Sequence, residues 1–278
     1  MQKINSIQEM LSHAQKGRTD KKRIAFVPTM GALHSGHQAL MREAARHGEI
    51  RVVSIFVNPT QFNNPTDFEK YPRTLEEDLK ICAQEGIDYL FTPSVKEIYP
   101  KGLKVENSLP KVAKVLEGEF RPGHFAGVCT VVGRLFDAVQ PDVALFGEKD
   151  YQQWLVIREW AKQKKNPVKI LSCPTVRDQN GLALSSRNRR LSPKGLNRAL
   201  AIPEAIRKAQ QLFKKGERKT EKLVHVAKEH LGSIPVDYVM VADDERLQTL
   251  EIIDRPSRIF ITARIEGVRL IDNASLDG

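Results

Sequence analysis

The apolar positions of the first two-thirds of the chain fall into two alternating patterns. Short, almost wholly apolar runs predict parallel strands covered on both faces, and they lie at 23–28, 51–57, 88–91, 142–146 and 168–171. Apolar residues at helical spacing predict helices at 4–16, after an N-cap at Ser35, at 74–86, at 128–139 and after Asp150. Because strand and helix alternate at this spacing, the pattern predicts a doubly wound parallel sheet.

The pattern changes after Pro193, where helices come first and strands follow. The helices are predicted at 194–215 and 218–231, and the strands at 236–241, 258–263 and 268–271. We therefore expect an α/β protein with two domains. A Rossmann-like, doubly wound domain at 1–176 is expected to be joined to a smaller α+β domain at 177–278 that closes over a ligand site.

The most informative stretch, 28–37, joins the first of these strands to the helix that follows. Gly31 and Gly36 allow a ligand to approach the backbone closely. His34 and His37 flank a helix start, where backbone N–H groups and the helix dipole favour an anion. Two imidazoles there can donate to phosphate oxygens as charge develops. The alternative is a surface helix that merely begins with two histidines.

Composition limits the class of protein without deciding it. Hydrophobic residues make up 41% and charged residues 28% of the 278 residues, as in a globular protein with a sizeable core. No apolar stretch approaches the about 18 residues of a membrane span, and the N-terminus lacks the apolar region of a secretory signal. Cys82, Cys129 and Cys173 are far apart, which is typical of core thiols in a reducing compartment. We expect a cytoplasmic protein with no membrane partner.

The formal net charge of +10 is compatible with nucleic acid or with a small anionic substrate. Much of the excess lies in lysine-rich pieces at 162–169 and 214–222. These pieces have no interleaved aromatic residues for base stacking, so they indicate solvated helix faces. We therefore expect no nucleic-acid partner.

Polar residues also follow two other predicted strands. Asn58 and Gln61 come after the strand at 51–57, and the segment 147–150 comes after the strand at 142–146. Ligands bind at the carboxyl ends of strands in such sheets, so these residues are expected to share a cleft with the histidines. The serines and the arginine of the loop at 184–188 suit polyphosphate recognition.

Six separated motifs now stand in order: VPTMGALHSGH (27–37), FVNPTQF (56–62), YPRT (71–74), RPGHFAGV (121–128), FGEKDYQQ (146–153) and LSSRN (184–188). The HxGH pattern alone resembles the adenylyl-transferring nucleotidyltransferases related to class I aminoacyl-tRNA synthetases. Together the motifs resemble the pantothenate synthetase (pantoate–β-alanine ligase) family, nearly from end to end.

The resemblance implies an ATP-dependent condensation of (R)-pantoate with β-alanine to give pantothenate. It further implies that a pantoyl-adenylate intermediate forms, that AMP and pyrophosphate are released, and that Mg²⁺ accompanies ATP. The family also implies a homodimer. Metal ligands are not identified by the sequence.

The resemblance assigns five residues to charge stabilisation at the phosphates: His34, His37, Lys149, Ser186 and Arg187. In the family His37 is a proposed proton donor, and the physical alternative is simple charge stabilisation. Gly147 and Asp150 resemble ribose contacts, and Val176 and Leu184 adenine contacts, although the family usually has methionine at the latter position. The full expected ATP set is Met30, Gly31, His34, Gly36, His37, Gly147, Glu148, Lys149, Asp150, Val176, Leu184, Ser185, Ser186 and Arg187.

Gln61 and Gln153 resemble the pantoate-binding pair, since each amide offers a donor and an acceptor to a ligand with two hydroxyls. Met30 and Phe62 are expected to pack on its methyl groups, with Asn58 nearby. Most of these assignments have a plainer alternative: Gln153 as an exposed helix residue, Lys149 and Asp150 as a surface ion pair, and 185–187 as turn chemistry. For His124, a functional role and loop packing remain equal alternatives.

Two other functions stay open at this point. A different small-molecule nucleotidyltransferase on the same scaffold would keep the nucleotide on its product instead of releasing AMP. A basic RNA-binding module is the second alternative, although the C-terminal portion is small for an anticodon-reading domain and its lysines are scattered.

Overall fold

The computed structural model describes residues 1–277, and the chain divides into two compact units. The first unit contains Met1–Glu148 and Gln152–Pro174, and the second contains Lys149–Tyr151 and the residues from Thr175 onward. In the described part of the chain, no helix is long and apolar enough to cross a membrane.

The first unit is built on a six-stranded, wholly parallel sheet with the strand order β1-β4-β3-β2-β5-β6. Its strands are β1 (Gln2–Ile4), β2 (Ile24–Thr29), β3 (Ile50–Ile55), β4 (Tyr89–Phe91), β5 (Val143–Gly147) and β6 (Lys169–Cys173). The associated helices are α1 (Ile7–Thr19), α2 (Ser35–Ala44), α3 (Pro65–Glu69), α4 (Leu75–Gln84), α5 (Val95–Ile98), α6 (Glu117–Phe120), α7 (His124–Val139) and α8 (Tyr151–Gln163).

Both faces of this sheet are covered. Since successive side chains of a strand point to opposite sides, neighbouring residues of one strand pack in different clusters. Phe26 of β2 packs in one apolar cluster with residues of α1 and α7. Its neighbours Ala25 and Val27 pack in a second cluster with residues of α2. The doubly wound arrangement predicted from the apolar runs is confirmed.

Two helices of the first unit begin at residues other than those predicted. A helix predicted at 4–16 begins instead at Ile7, since the Ser6 hydroxyl accepts a hydrogen bond from the Glu9 N–H at 3.2 Å and caps the helix there. Ile4 belongs to β1, a strand too short for its pattern to be recognised. Helix α7 begins at His124 rather than Val128, directly after Gly123, whose φ of +82° turns the chain into the helix.

The second unit contains the predicted α+β combination. Helices α9 (Pro193–Ala199), α10 (Ala201–Lys214) and α11 (Thr220–Leu231) precede an antiparallel sheet of β7 (Val236–Asp243), β8 (Ser257–Ile265) and β9 (Val268–Ser275), in that order. The single helix predicted at 194–215 is divided into α9 and α10. Pro203 accounts for the division, because it has no N–H to donate to the Ala199 carbonyl.

Candidate active site

The first candidate surface is the turn after β2, at the carboxyl end of the strand. The Thr29 hydroxyl donates to the Ser54 carbonyl at 2.7 Å and accepts from the Gly31 N–H at 3.2 Å. Gly31 and Ala32 both have left-handed backbone conformations, with φ of +80° and +50°. Such a conformation costs an alanine about 1–2 kcal/mol, so surrounding contacts must hold the turn.

His34 and His37 cap the N-terminus of α2 together. His34, rather than the predicted Ser35, is the N-cap, and its Nδ1 accepts from the Gly36 N–H at 3.2 Å. The Nδ1 of His37 accepts from the His34 N–H at 3.3 Å, and the two ring centroids are 4.1 Å apart. A neutral imidazole that accepts at Nδ1 carries its proton on Nε2, so both rings are set to donate from Nε2.

Asn58, which follows β3, is fully buried, and both ends of its side-chain amide are hydrogen-bonded within the protein. Its Oδ1 accepts from the Tyr99 hydroxyl at 2.7 Å and from the Thr60 hydroxyl at 3.0 Å. Its Nδ2 donates to Gln61 Oε1 at 3.0 Å and to the Gly127 carbonyl at 3.1 Å. The sequence predicts that Asn58 lies beside the substrate. In the structure, its side chain orients the Gln61 amide.

Gln61 lies next to Met30. Its Nε2 is 3.0 Å from the Met30 sulfur, and its Oε1 accepts from Asn58 Nδ2. Because the amide oxygen has a second lone pair, Gln61 can address a ligand both as a donor and as an acceptor. Phe62 is half-buried and packs edge-on against Phe68, with ring centroids 5.3 Å apart.

The backbone carbonyl of Gln61 is held by Arg121 and by His124, whose role the sequence left open. His124 is buried, and its Nδ1 donates to this carbonyl at 2.9 Å, while Arg121 Nη2 donates to it at 3.1 Å. The Arg121 guanidinium also reaches the Glu117 carboxylate at 3.4 Å. Of the two alternatives for His124, the structure thus supports a packing role next to a candidate site residue.

Gln153 and its neighbour Gln152 differ in burial and in hydrogen bonding. Gln153 is half-buried, and among residues 1–277 its side chain has no hydrogen-bond partner, so its amide is available to a ligand. Gln152 is buried, accepts from the Glu117 N–H at 2.9 Å and donates to the Val112 and Val115 carbonyls. Gln152 is therefore a structural residue.

The segment after β5 is shared between the units. Gly147 and Glu148 belong to the first unit, where the Ser172 hydroxyl donates to Glu148 Oε1 at 2.9 Å. Lys149 and Asp150 belong to the second unit and form an ion pair at 3.8 Å, in which the lysine side chain is 19% exposed and the aspartate 47%. At this distance and with the aspartate exposed, the ion pair contributes at most about 1 kcal/mol.

Lys149 is anchored through its backbone. Asn273 Nδ2 donates to the Lys149 carbonyl at 2.9 Å, and Arg258 Nη1 donates to Asn273 Oδ1 at 2.7 Å. The Arg258 guanidinium also stacks 4.0 Å from the centre of the Tyr151 ring. These polar residues of β8 and β9 explain why the chain at Lys149–Tyr151 belongs with the second unit.

The loop at 184–188 is also built on the second unit. The Leu184 N–H donates to the Val176 carbonyl at 3.0 Å, which brings the two predicted adenine contacts together. The Ser185 hydroxyl accepts from the Arg187 N–H at 3.2 Å and caps a short helix at Ser186–Arg190, in which Ser186 is buried. The plainer alternative for this loop is a turn held by bonds between side chain and backbone, and such a bond is observed at Ser185.

The three cysteines are buried, as interpreted from the sequence. Burial raises the pKa of the Cys82 and Cys129 thiols to about 12 and that of Cys173 to about 11. They are protonated core residues at neutral pH and take no part in the candidate site.

The parallel sheet and the sites at the carboxyl ends of its strands define a Rossmann-like α/β protein. The sequence profile of the family described as Pantoate-beta-alanine ligase matches residues 2–275. The pantothenate synthetase of Aquifex aeolicus is 45% identical over 274 residues, covering 97% of both chains, and that of Thermotoga petrophila is 43% identical over 279 residues, covering 99% and 100%. The chain therefore belongs to the pantoate–β-alanine ligase family and is an enzyme of the ligase class.

Two solved structures support the same assignment. The crystal structure of pantothenate synthetase from Thermus thermophilus has a TM-score of 0.93 at 38% identity, covering 99% of each chain. Pantoate–β-alanine ligase from Francisella tularensis, complexed with beta-gamma ATP and β-alanine, has a TM-score of 0.84 at 37% identity, covering 100% of this chain and 98% of its own. The family resemblance and the fold class inferred from the sequence are confirmed.

Proposed function

We propose that this enzyme condenses (R)-pantoate with β-alanine to give pantothenate, using ATP and passing through pantoyl adenylate. A carboxylate oxygen of pantoate attacks the α-phosphorus of ATP, and the bond from that phosphorus to pyrophosphate breaks. The amine nitrogen of β-alanine then attacks the pantoyl carbonyl carbon, the carbon–oxygen bond to AMP breaks, and the nitrogen loses a proton. The observation that carries the proposal is the capped pair His34 and His37 in a chain of this family.

The first step develops negative charge on phosphoryl oxygens, and preorganised donors stabilise such charge best. His34 and His37 supply Nε2 donors whose rings are fixed by backbone bonds at Nδ1. The structure gives Gly31 and Gly36 a packing reason instead, since a Cβ atom would lie 3.0 Å from Asp78 Oδ2 at Gly31 and 2.9 Å from the His34 ring at Gly36. With both imidazoles set as donors, we assign charge stabilisation to His37, while proton donation to the leaving group is unnecessary because pyrophosphate is a good leaving group.

The pantoyl group is assigned to the surface around Gln61. Its amide suits a hydroxyl or carboxylate group, and the adjoining Met30 sulfur and Phe62 ring suit the two methyl groups of pantoate. The Gln153 amide supplies both a donor and an acceptor for the second hydroxyl.

Residues of the second unit, together with the adjoining Gly147 and Glu148 of the first, are assigned to the nucleotide. Lys149, Ser186 and Arg187 supply donors to phosphate oxygens, and Asp150 with Gly147 addresses the ribose. The Val176 and Leu184 segment addresses adenine through its backbone, a contact that does not depend on leucine replacing methionine. Glu148 and Ser185 complete the set by supporting their neighbours.

ATP is used in such reactions as its Mg²⁺ complex, in which the ion neutralises phosphate charge. Within residues 1–277, no group of three or more His, Cys, Asp or Glu side chains could hold a metal. That arrangement fits an ion bound mainly through phosphate oxygens with one or two carboxylates.

Pyrophosphate–ATP exchange tests this function. We expect exchange that requires pantoate and Mg²⁺ but not β-alanine, and AMP as the nucleotide released when β-alanine is added. A product that retains the nucleotide would instead indicate another nucleotidyltransferase. Exchange that depends on a different acid would refute pantoate as the substrate.

We also propose a cytoplasmic homodimer that binds neither nucleic acid nor membranes. The family resemblance supports the dimer, and the scattered lysines argue against a nucleic-acid surface. Light scattering that returned the monomer mass of 31.4 kDa at micromolar concentration would refute the dimer. Tight RNA binding with a steep salt dependence would revive the RNA-binding alternative.

A further inference from the structure

The carboxylate of Asp78 is buried beneath the turn that carries His34. Asp78 lies in the first turns of α4 and is only 1% exposed. Its Oδ1 accepts from the Leu33 N–H at 2.8 Å, and its Oδ2 accepts from the Ala32 N–H at 3.0 Å. One carboxylate thus binds two successive backbone donors, a task for which its two oxygens are suited.

The turn needs such an acceptor because of its conformation. Ala32 has a φ of +50°, unusual for a residue with a side chain, and Ala32 and Leu33 are buried. Buried backbone N–H groups without an acceptor are strongly disfavoured, and Thr29 accepts from the neighbouring Gly31 instead. Asp78 therefore stabilises the backbone that leads directly into His34.

We propose that Asp78 is a positioning residue that fixes the His34 and His37 imidazoles for adenylate formation. The proposal rests on the proposed function, in which these imidazoles donate to the phosphates. Because His34 follows Leu33 directly and its N–H is bonded to His37, a shift of the Leu33 backbone moves both rings. Displacement of a reacting contact by about 1 Å can cost 10²-fold in rate.

The key test replaces the carboxylate by an amide of equal size. Asp78→Asn keeps one oxygen but turns an NH₂ group toward one of the two backbone N–H donors, so one donor loses its acceptor. Asp142→Asn is the matched control, since Asp142 Oδ2 accepts from the Ile24 N–H at 2.7 Å at the opposite end of β2. Both variants remove a carboxylate from a backbone donor, but only Asp78 lies at the histidine turn.

Two half-reactions are measured on the same sample: pantoate-dependent pyrophosphate–ATP exchange, and pantothenate formation from synthetic pantoyl adenylate and β-alanine. Their ratio does not depend on the fraction of folded protein. We expect Asp78→Asn to lower the ratio of exchange to amide formation by about 10- to 100-fold, in line with a misplaced catalytic donor. Asp142→Asn should leave the ratio unchanged. An unchanged ratio in Asp78→Asn overturns the proposal.

A second variant serves if Asp78→Asn does not fold. Thr74 stands at the N-cap of α4, but its side chain makes no capping bond, and its hydroxyl donates to Asp78 Oδ1 at 3.3 Å. Thr74→Val therefore removes one support of the carboxylate and little else. We expect a ratio lowered in the same direction by a few-fold, on the order of one lost hydrogen bond. If Thr74→Val folds and shows the wild-type ratio, that result would contradict the positioning role of Asp78.

Imidazole NMR separates this proposal from the function on which it rests. In ¹⁵N-histidine-labelled protein, we expect Asp78→Asn to shift the His34 and His37 resonances, and Asp142→Asn to leave them in place. If the wild-type enzyme shows no pantoate-dependent exchange, the proposed function fails, and these spectra still decide whether Asp78 positions the rings. Unshifted His34 and His37 resonances in folded Asp78→Asn overturn the positioning role.

Discussion

The side-chain amide of Asn58 donates to the side-chain carbonyl of Gln61 at 3.0 Å, inside the first unit. This bond decides which end of the Gln61 amide is presented to a ligand. Asn58 is itself oriented by the Tyr99 hydroxyl, which donates to its Oδ1 at 2.7 Å. Burial raises the pKa of Tyr99, so its hydroxyl remains a donor at any pH at which the enzyme works.

We predict that Tyr99→Phe weakens pantoate binding. Removing one hydrogen bond from the buried Asn58 amide loosens the orientation of Gln61 and costs about 1 kcal/mol, or about five-fold in affinity. The KM for pantoate should rise by that factor, with kcat and the KM for ATP nearly unchanged. Steady-state kinetics with each substrate varied in turn checks this.

Tyr89→Phe is the control for this change. Tyr89 is a half-buried tyrosine of the same sheet that contacts the His13 ring, with centroids 4.6 Å apart. Within residues 1–277, no hydrogen bond joins the Tyr89 hydroxyl to Asn58, Thr60 or Gln61, so its loss should leave the pantoate KM unchanged. An equal rise of the pantoate KM in both variants would mean that Tyr99 affects pantoate binding only through the overall stability of the protein.

Much of the first unit could be predicted because its strands are continuous apolar runs. The predicted bounds of β2, β3, β5 and β6 are within two residues of those observed. Both faces of β2 and β5 are buried, and such strands are recognisable as continuous apolar runs in the sequence.

The polar supports of the site could not be predicted in the same way. Asp78 has the sequence signature of an ordinary acidic residue in the first turn of a helix, and only the fold reveals that it binds Ala32 and Leu33. Asp272 and Asn273 end the predicted strand at 271 because they are polar, yet β9 continues to Ser275. Both are buried, and Asp272 pairs with Arg177 at 2.7 Å and 2.9 Å.

The cysteines should be unreactive in the native enzyme. Only the thiolate reacts with reagents such as iodoacetamide, and the raised thiol pKa values of about 11 to 12 leave very little thiolate at pH 8. We expect no labelling of Cys82, Cys129 or Cys173 at pH 8 and complete labelling after unfolding in urea. Mass spectrometry counts the labels, and rapid modification of any one thiol in native protein would contradict its burial.

Asp237 should make the stability of the enzyme depend on acid pH. Burial acts to raise its pKa, but hydrogen bonds from Arg264 and Arg269 outweigh this and hold the pKa below its usual value. A carboxyl group with a lowered folded-state pKa stabilises the protein fully above its unfolded value of about 4 and loses that contribution as the pH falls through the folded value.

We therefore predict that Asp237→Asn lowers the free energy of unfolding at pH 7 by about 1–2 kcal/mol, a value reduced for the exposure of Arg264. The difference from wild type should shrink below about pH 4, where the wild-type carboxylate is protonated as well. Urea unfolding at several pH values measures it. Asp254→Asn, whose ion pair with Arg255 is half-exposed on both sides, is the control and should have little effect. A difference that grows on acidification would contradict the sign of the argument.

The last prediction separates the two halves of the reaction. If His37 donates to the phosphates, His37→Ala should slow pantoyl-adenylate formation by about 10²–10³, the usual cost of one preorganised transition-state donor. The same variant, supplied with synthetic pantoyl adenylate and β-alanine, should lose far less, because that half-reaction breaks a bond at the acyl carbon. Gln153→Ala should slow both halves, since both hold the pantoyl group. Rapid-quench measurement of each half-reaction provides the comparison. Equal damage to both halves by His37→Ala would show that His37 does not act on the phosphates alone.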